Sequence, residues 1–145
     1  RADQRKSNYL LFSFHGLPQR CIELGDPYQQ QCLMTVRLIA ERLQLSADEY
    51  QVVFQSRFGA AQWLKPYCDV VLQELPARGI KNVSVICPGF AVDCLETLEE
   101  ISKRYRELFL AAGGERFNYI PALNDSAEQV KLLASLAQRP LKRME

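Results

Sequence analysis

The 145-residue sequence holds one histidine and one tryptophan, and its formal net charge is only +1. Each scarcity removes a class of function. Eighteen Lys and Arg stand against seventeen Asp and Glu and are scattered along the chain. There is thus no basic stripe of the kind that tracks a nucleic-acid backbone, and no nucleic-acid partner is expected. Apolar runs stay far below the ~20 residues of a membrane-spanning helix, and no signal-peptide pattern opens the chain. A peripheral association with a membrane stays open. The five cysteines, Cys21, Cys32, Cys68, Cys87 and Cys94, are odd in number and nowhere spaced C-x-x-C. Zinc-ribbon, thioredoxin-like and disulfide-framework readings fail on that spacing, and free thiols in a reducing cytoplasm are the expectation. Neither G-x-G-x-x-G nor a P-loop lysine follows a strand, so a nucleotide ligand is not expected. Ser13 and Ser56 lack a nucleophile-elbow setting.

What is present reads as a single α/β domain from residue 9 to 145, long enough to bury a core. Residues 1–8 are polar, a tail or a severed interdomain linker, and a start at Arg1 without methionine suggests an excised fragment. Strands are expected at Tyr9–Phe14, Tyr50–Gln55, Asn82–Cys87 and Phe117–Ile120. Between them, Asp26-Pro27 opens a helix with Tyr28, Cys32, Val36, Ile39 and Leu43 on one face to about Leu45. A second helix is expected from Pro66 to Arg78, with Gly79 as its C-cap. A third begins at Asp93 with an apolar face of Leu95, Leu98, Ile101, Tyr105, Leu108, Phe109 and Ala112. A last one runs from Asp125 to about Gln138, stopped by Pro140. This alternation predicts a four-stranded parallel sheet, covered on both faces, in the flavodoxin-like order 2-1-3-4.

In that order the first and third strands are neighbours, and ligands of such sheets bind at the carboxyl ends where the winding reverses. The first strand ends on His15, the lone histidine, followed at once by Gly16 and Pro18. The third leads through Pro88-Gly89-Phe90 to Asp93, Cys94, Glu96, Glu99 and Glu100. An imidazole and a group of carboxylates should therefore face each other across one cleft. Glu96 and Glu100 share a helical face, a repulsive spacing unless it holds a cation or a proton. Blander readings stand beside these: a satisfied histidine in a turn, Glu96 completing a capping box with Asp93, and Glu100 paired with Arg104. Asp125-x-x-Glu128 repeats the Asp93-x-x-Glu96 pattern with no sign of function. Trp63 and Phe90 lie in loops at the same edge, placed either to stack on a flat ligand or to pack in the core.

Several long motifs, in order, resemble the ferrochelatase family. They are Leu11-Phe12-Ser13-Phe14-His15-Gly16-Leu17-Pro18 with Gly25-Asp26-Pro27-Tyr28, then Gln55-Ser56-Arg57-Phe58-Gly59 with Trp63-Leu64. Cys87-Pro88-Gly89-Phe90 follows, with Asp93-Cys94-Leu95-Glu96-Thr97-Leu98-Glu99-Glu100. The likeness covers nearly the whole chain, is closest to the proteobacterial branch, and is to the carboxyl-terminal half of an enzyme built from two similar halves around a porphyrin cleft. It implies insertion of ferrous iron, as substrate, into protoporphyrin IX, with the amino-terminal half as the missing partner. By the same likeness His15 and Glu96 are catalytic, His15 either as acceptor of a pyrrole proton or as a metal ligand, and Glu96 and Glu100 are placed to contact the metal; Trp63 and Phe90, from their loops at the same edge, are the candidates to bind the porphyrin. Cys94 stands where some relatives carry a second histidine, and Arg104 where some carry a further acid. No cysteine follows Cys94, so no iron–sulfur cluster is expected. Iron insertion requires loss of two pyrrole protons, and desolvation among acids is expected to raise a glutamate pKa and help a relay. The alternatives are a chelatase for another tetrapyrrole or metal, such as cobalt, or a flavodoxin-like module that binds without chemistry.

Overall fold

A computed structural model describes residues 8–141. Most of the polar stretch at 1–8 lies outside the described residues. Asn8 is inside, and its amide donates to Ser84 Oγ at 2.7 Å.

The four strands are β1 (Tyr9–His15), β2 (Tyr50–Gln55), β3 (Asn82–Ile86) and β4 (Arg116–Ile120). They form one sheet in the order β2-β1-β3-β4, with every pairing parallel, as the alternation of elements predicts. His15 is the last residue of β1 and lies in register with Gln55, the last of β2.

Strand side chains alternate between two cores. Phe12, Phe14 and Phe54 face a cluster closed by Cys32 and Val36 of α2 (Tyr28–Leu43) and by Leu64. Leu11 and Val53 face the other side, with Val83 and Val85, under α3 (Cys68–Glu74), Ile101, Tyr105 and Phe109. The same parity puts Ser13, His15 and Gln55 on this second side.

The long loop after β1 contains a short helix, α1 (Gln19–Glu23), not foreseen from sequence. Asp26 does cap: its Oδ1 accepts the Tyr28 N–H at 2.8 Å. The helix expected over Pro66–Arg78 is shorter, with α3 giving way to a 3₁₀ turn at Pro76–Arg78. Proline has no N–H for the α-helical ladder, so Pro76 ends the regular winding.

The largest departure follows β3. The segment Glu96–Tyr105 is a π-helix, continued by α4 (Arg106–Ala111). Hydrogen bonding from i to i+5 takes more residues per turn than the 3.6 of an α-helix. The buried set becomes Thr97, Glu100, Ile101, Tyr105 and Phe109. Leu95 and Leu98, expected on the apolar face, are exposed instead at 78% and 49%.

The last helix, α5 (Ala127–Leu141), takes Pro140 into its final turn, a boundary shift at a position where few ladder bonds are at stake. Val130, Leu132, Leu133 and Leu136 of α5 are all exposed. No helix of the described residues is long and apolar enough to cross a membrane.

Candidate active site

The carboxyl end of β1 presents His15 between two tethers. Its Nδ1 lies 2.7 Å from the Gly16 carbonyl, and its own carbonyl accepts the Tyr28 hydroxyl at 2.8 Å. A carbonyl only accepts, so Nδ1 carries the proton and the Nε2 lone pair is the one left for chemistry. Gly16 is needed for this turn. A Cβ there would meet the Gln55 carbonyl at 3.0 Å and the Trp63 ring at 3.2 Å.

Glu96 stands at the start of the π-helix. The neighbouring Cys94 thiol and its own backbone N–H hold its carboxyl below the usual range, against a slight desolvation, and the His15 ring lowers it further when it is protonated on both nitrogens. His15 and Glu96 therefore lie within electrostatic reach, although 81 residues apart in sequence (96 minus 15). The expectation of a raised pKa fails at Glu96 because the carboxylate is only partly buried and finds donors. It is not the capping-box acid either. The Asp93 N–H that a capping box would direct to Glu96 donates instead to Asn124 Oδ1 at 2.8 Å, and Thr97 Oγ1 accepts the next one, the Cys94 N–H, at 2.9 Å.

Glu100 is held apart from that pair by donors of its own chain. It accepts from Ser56 N at 2.9 Å, Ser56 Oγ at 2.5 Å, Tyr105 Oη at 2.7 Å and Arg104 Nη2 at 3.1 Å. Burial, and next the bond to Glu100, push the Tyr105 phenol far up, so it stays a proton donor. Among the described residues, no group of three or more His, Cys, Asp or Glu is arranged to hold a metal ion.

The aromatics separate similarly. Trp63 is 6% exposed, with its Nε1 donating to the Phe58 carbonyl at 2.9 Å, and it forms a floor beneath Gly16. Phe58, not singled out from sequence, lies 4.9 Å from Trp63 between ring centroids and is 73% exposed. Phe90 packs against the core under the π-helix.

Asp93 anchors the approach to the π-helix rather than facing the cleft. Tyr119 and Thr97 donate to its Oδ1 at 2.5 and 3.0 Å, Asn124 to Oδ2 at 2.9 Å, and the Ala122 N–H lies 3.3 Å from Oδ1. Partial desolvation pushes this carboxyl up, but the bonds from Asn124, Tyr119, Ala122 and Thr97 outweigh it and leave the pKa below its ordinary value. A depressed folded-state pKa contributes stability above the unfolded pKa of about 3.9, and the contribution is lost as pH falls through the folded value. Asp93→Asn should thus cost about 1–3 kcal/mol at neutral pH. The gap from wild type should close in acid. Urea unfolding at pH 7 and pH 3 measures this; an equal loss at both pH values would remove the charge from the account.

Ser13, Gln55 and Ser56 were missed as supporting residues. One signal was available for Gln55: a polar side chain at the carboxyl end of the edge strand β2, opposite His15 in register.

A protein-family model described as Ferrochelatase matches residues 1–141. The chain belongs to the ferrochelatase family. It is 59% identical over 130 residues to a ferrochelatase of Nitrosococcus oceani, covering 90% of this chain and 35% of that protein. With ferrochelatases of Bordetella pertussis and Methylococcus capsulatus it shares 56% and 57% identity, over 92% and 89% of this chain and 37% and 40% of those proteins. This ferrochelatase-family chain therefore spans well under half the length of these curated relatives. Among solved structures, it is similar to a cobalamin (vitamin B12) biosynthesis CbiX protein of Marinobacter aquaeolei VT8. That match has a TM-score of 0.57 at 12% identity, covering 94% of this chain and 98% of the other. At that identity the likeness concerns the fold.

Proposed function

We propose that this chain is one wall of a ferrochelatase active site that inserts ferrous iron into protoporphyrin IX. What supports the reading is an imidazole, His15, at the carboxyl end of β1 and a carboxylate, Glu96, at the start of the π-helix, within electrostatic reach of each other at the winding-reversal edge of the sheet. Insertion breaks two pyrrole N–H bonds, releases two protons and forms metal–nitrogen bonds with the vacated lone pairs. Neutral imidazole at Nε2 is a competent acceptor for a pyrrole proton near neutral pH. Glu96, ionised there, supplies the hard oxygen and negative charge that suit Fe²⁺ as it sheds water. Glu100, saturated by Ser56, Tyr105 and Arg104, holds the π-helix on β2 and contacts metal only if those bonds open. Exposed Phe58, with Trp63 beneath it, offers the macrocycle an aromatic surface.

The second wall comes from the rest of the full-length protein. Exposed leucines on α5, together with Leu95 and Leu98, are apolar surface of the kind that marks contact areas. The isolated chain should fold, because its sheet is covered on both faces, and should insert iron poorly. Holding and bending the macrocycle needs both walls, and losing one should cost roughly 10²-fold or more. Porphyrin fluorescence decay in ferrous iron, compared between the 145-residue chain and the full-length protein, tests this. Porphyrin binding without turnover by the full-length protein would replace the enzyme with a binding module. Equal rates from both would show that one wall suffices.

A further inference from the structure

We propose that Gln55 is the positioning residue that sets Glu96 against His15. It ends β2 opposite His15 and is 1% exposed. Its backbone carbonyl accepts the Gly16 N–H at 2.8 Å, which fixes the turn directly after His15. Its side chain reaches the other partner. Nε2 donates to the Glu96 carbonyl at 2.7 Å, across from β2 to the first residue of the π-helix. One residue thus ties both halves of the pair, by its main chain on one side and its amide on the other.

The amide has only one satisfying orientation. Oε1 accepts from Ser13 Oγ at 2.7 Å and faces the Cys87 thiol at 3.5 Å. Burial raises the Cys87 pKa to about 12, so it remains a thiol with a proton to give. On the opposite side, Nε2 meets the Glu96 carbonyl, with Ser56 Oγ at 3.4 Å and Glu100 Oε2 at 3.5 Å. Hydroxyl and thiol supply protons to one end of the amide; carbonyl and carboxylate demand them from the other. Glutamine is the side chain of this length with an acceptor and a donor so placed. Glutamate would turn a second carboxylate toward Glu100 and the Glu96 carbonyl. Methionine would fill the space and leave that carbonyl without the bond.

The positioning of the pair stands on these contacts, whereas its consequence for iron insertion rests on the chelatase reading above; the test therefore has two arms. In the 145-residue chain, Gln55→Met and Gln55→Glu should speed amide hydrogen exchange over residues 97–101 at least tenfold, with β3 and β4 unchanged. Unchanged exchange at 97–101, or acceleration spread evenly over the sheet, overturns the proposal, and if Gln55→Glu fails to fold the Gln55→Met result decides. In the full-length protein, Gln55→Met should lower kcat roughly 10- to 100-fold with the porphyrin KM within threefold. Added to Glu96→Gln, it should cost nothing more, because it acts through Glu96. Additive losses would overturn that route. If the wild-type full-length protein inserts no iron, the chelatase reading fails and the exchange arm alone judges Gln55.

Discussion

Replacing His15 with alanine in the full-length protein should lower iron insertion by roughly 10²–10⁴-fold, the range associated with loss of a positioned acid–base group. No other imidazole exists in this chain to take its place. The structural cost should be small for reasons that can be named. His15 is partly exposed, its Nδ1 bonds only the carbonyl of the next residue, and the Tyr28 hydroxyl is held by the main-chain carbonyl rather than the ring. Truncation therefore orphans no buried donor, and the β1–β2 register is untouched. Metallation rates on a variant with wild-type circular dichroism and melting temperature decide the matter. Activity within a few-fold of wild type would sink the assignment of His15 and, with it, the proton route through Nε2.

The edge on which His15 stands was legible because it follows from counting. Short apolar strands alternating with amphipathic helices leave a parallel sheet as the economical fold, and the order 2-1-3-4 puts the ends of β1 and β3 together. Strand parity, with Leu11 and Ser13 on the π-helix side, sends His15 to the same face. The winding after β3 was not legible. An i, i+4 apolar pattern through Ile101, Tyr105 and Phe109 fits either helix, and only the placement of Leu95 and Leu98 tells them apart. The tight hold on Glu100 was half visible: Arg104 lies four residues on, but Ser56 comes from another strand's end, and sequence spacing says nothing about that contact. The role of the Gln55 amide was hidden for the same reason, since it joins Ser13 of β1, Cys87 just after β3 and Glu96 of the π-helix. The exposure of the α5 leucines was not legible either, because periodicity marks an apolar face and carries no information about whether the rest of the chain covers it.

Glu96→Gln and Glu128→Gln should separate catalysis from capping, because both acids sit in an Asp-x-x-Glu pattern near a helix start. Neither glutamate does the capping here. Thr97 Oγ1 accepts the Cys94 N–H in one case, and Ser126 Oγ accepts the Gln129 N–H at 3.3 Å in the other. Stability should therefore move little in either variant, within about 0.5 kcal/mol, as for surface substitutions away from special features. Rates should diverge. The amide keeps the shape of Glu96 but removes the charge that faces His15 and the entering cation, a change expected to cost on the order of 10²-fold in turnover. Glu128→Gln, at an exposed position on α5, should stay within twofold of wild type. The pH dependence adds a sign. With its pKa below the ordinary value of about 4.3, Glu96 is ionised throughout the neutral range, so the deficit of Glu96→Gln should be flat from about pH 6 to 8. It should shrink only in acid, where wild-type Glu96 itself takes up a proton. Equal, small effects of the two substitutions on iron insertion would reduce Glu96 to a surface residue and leave His15 without its partner.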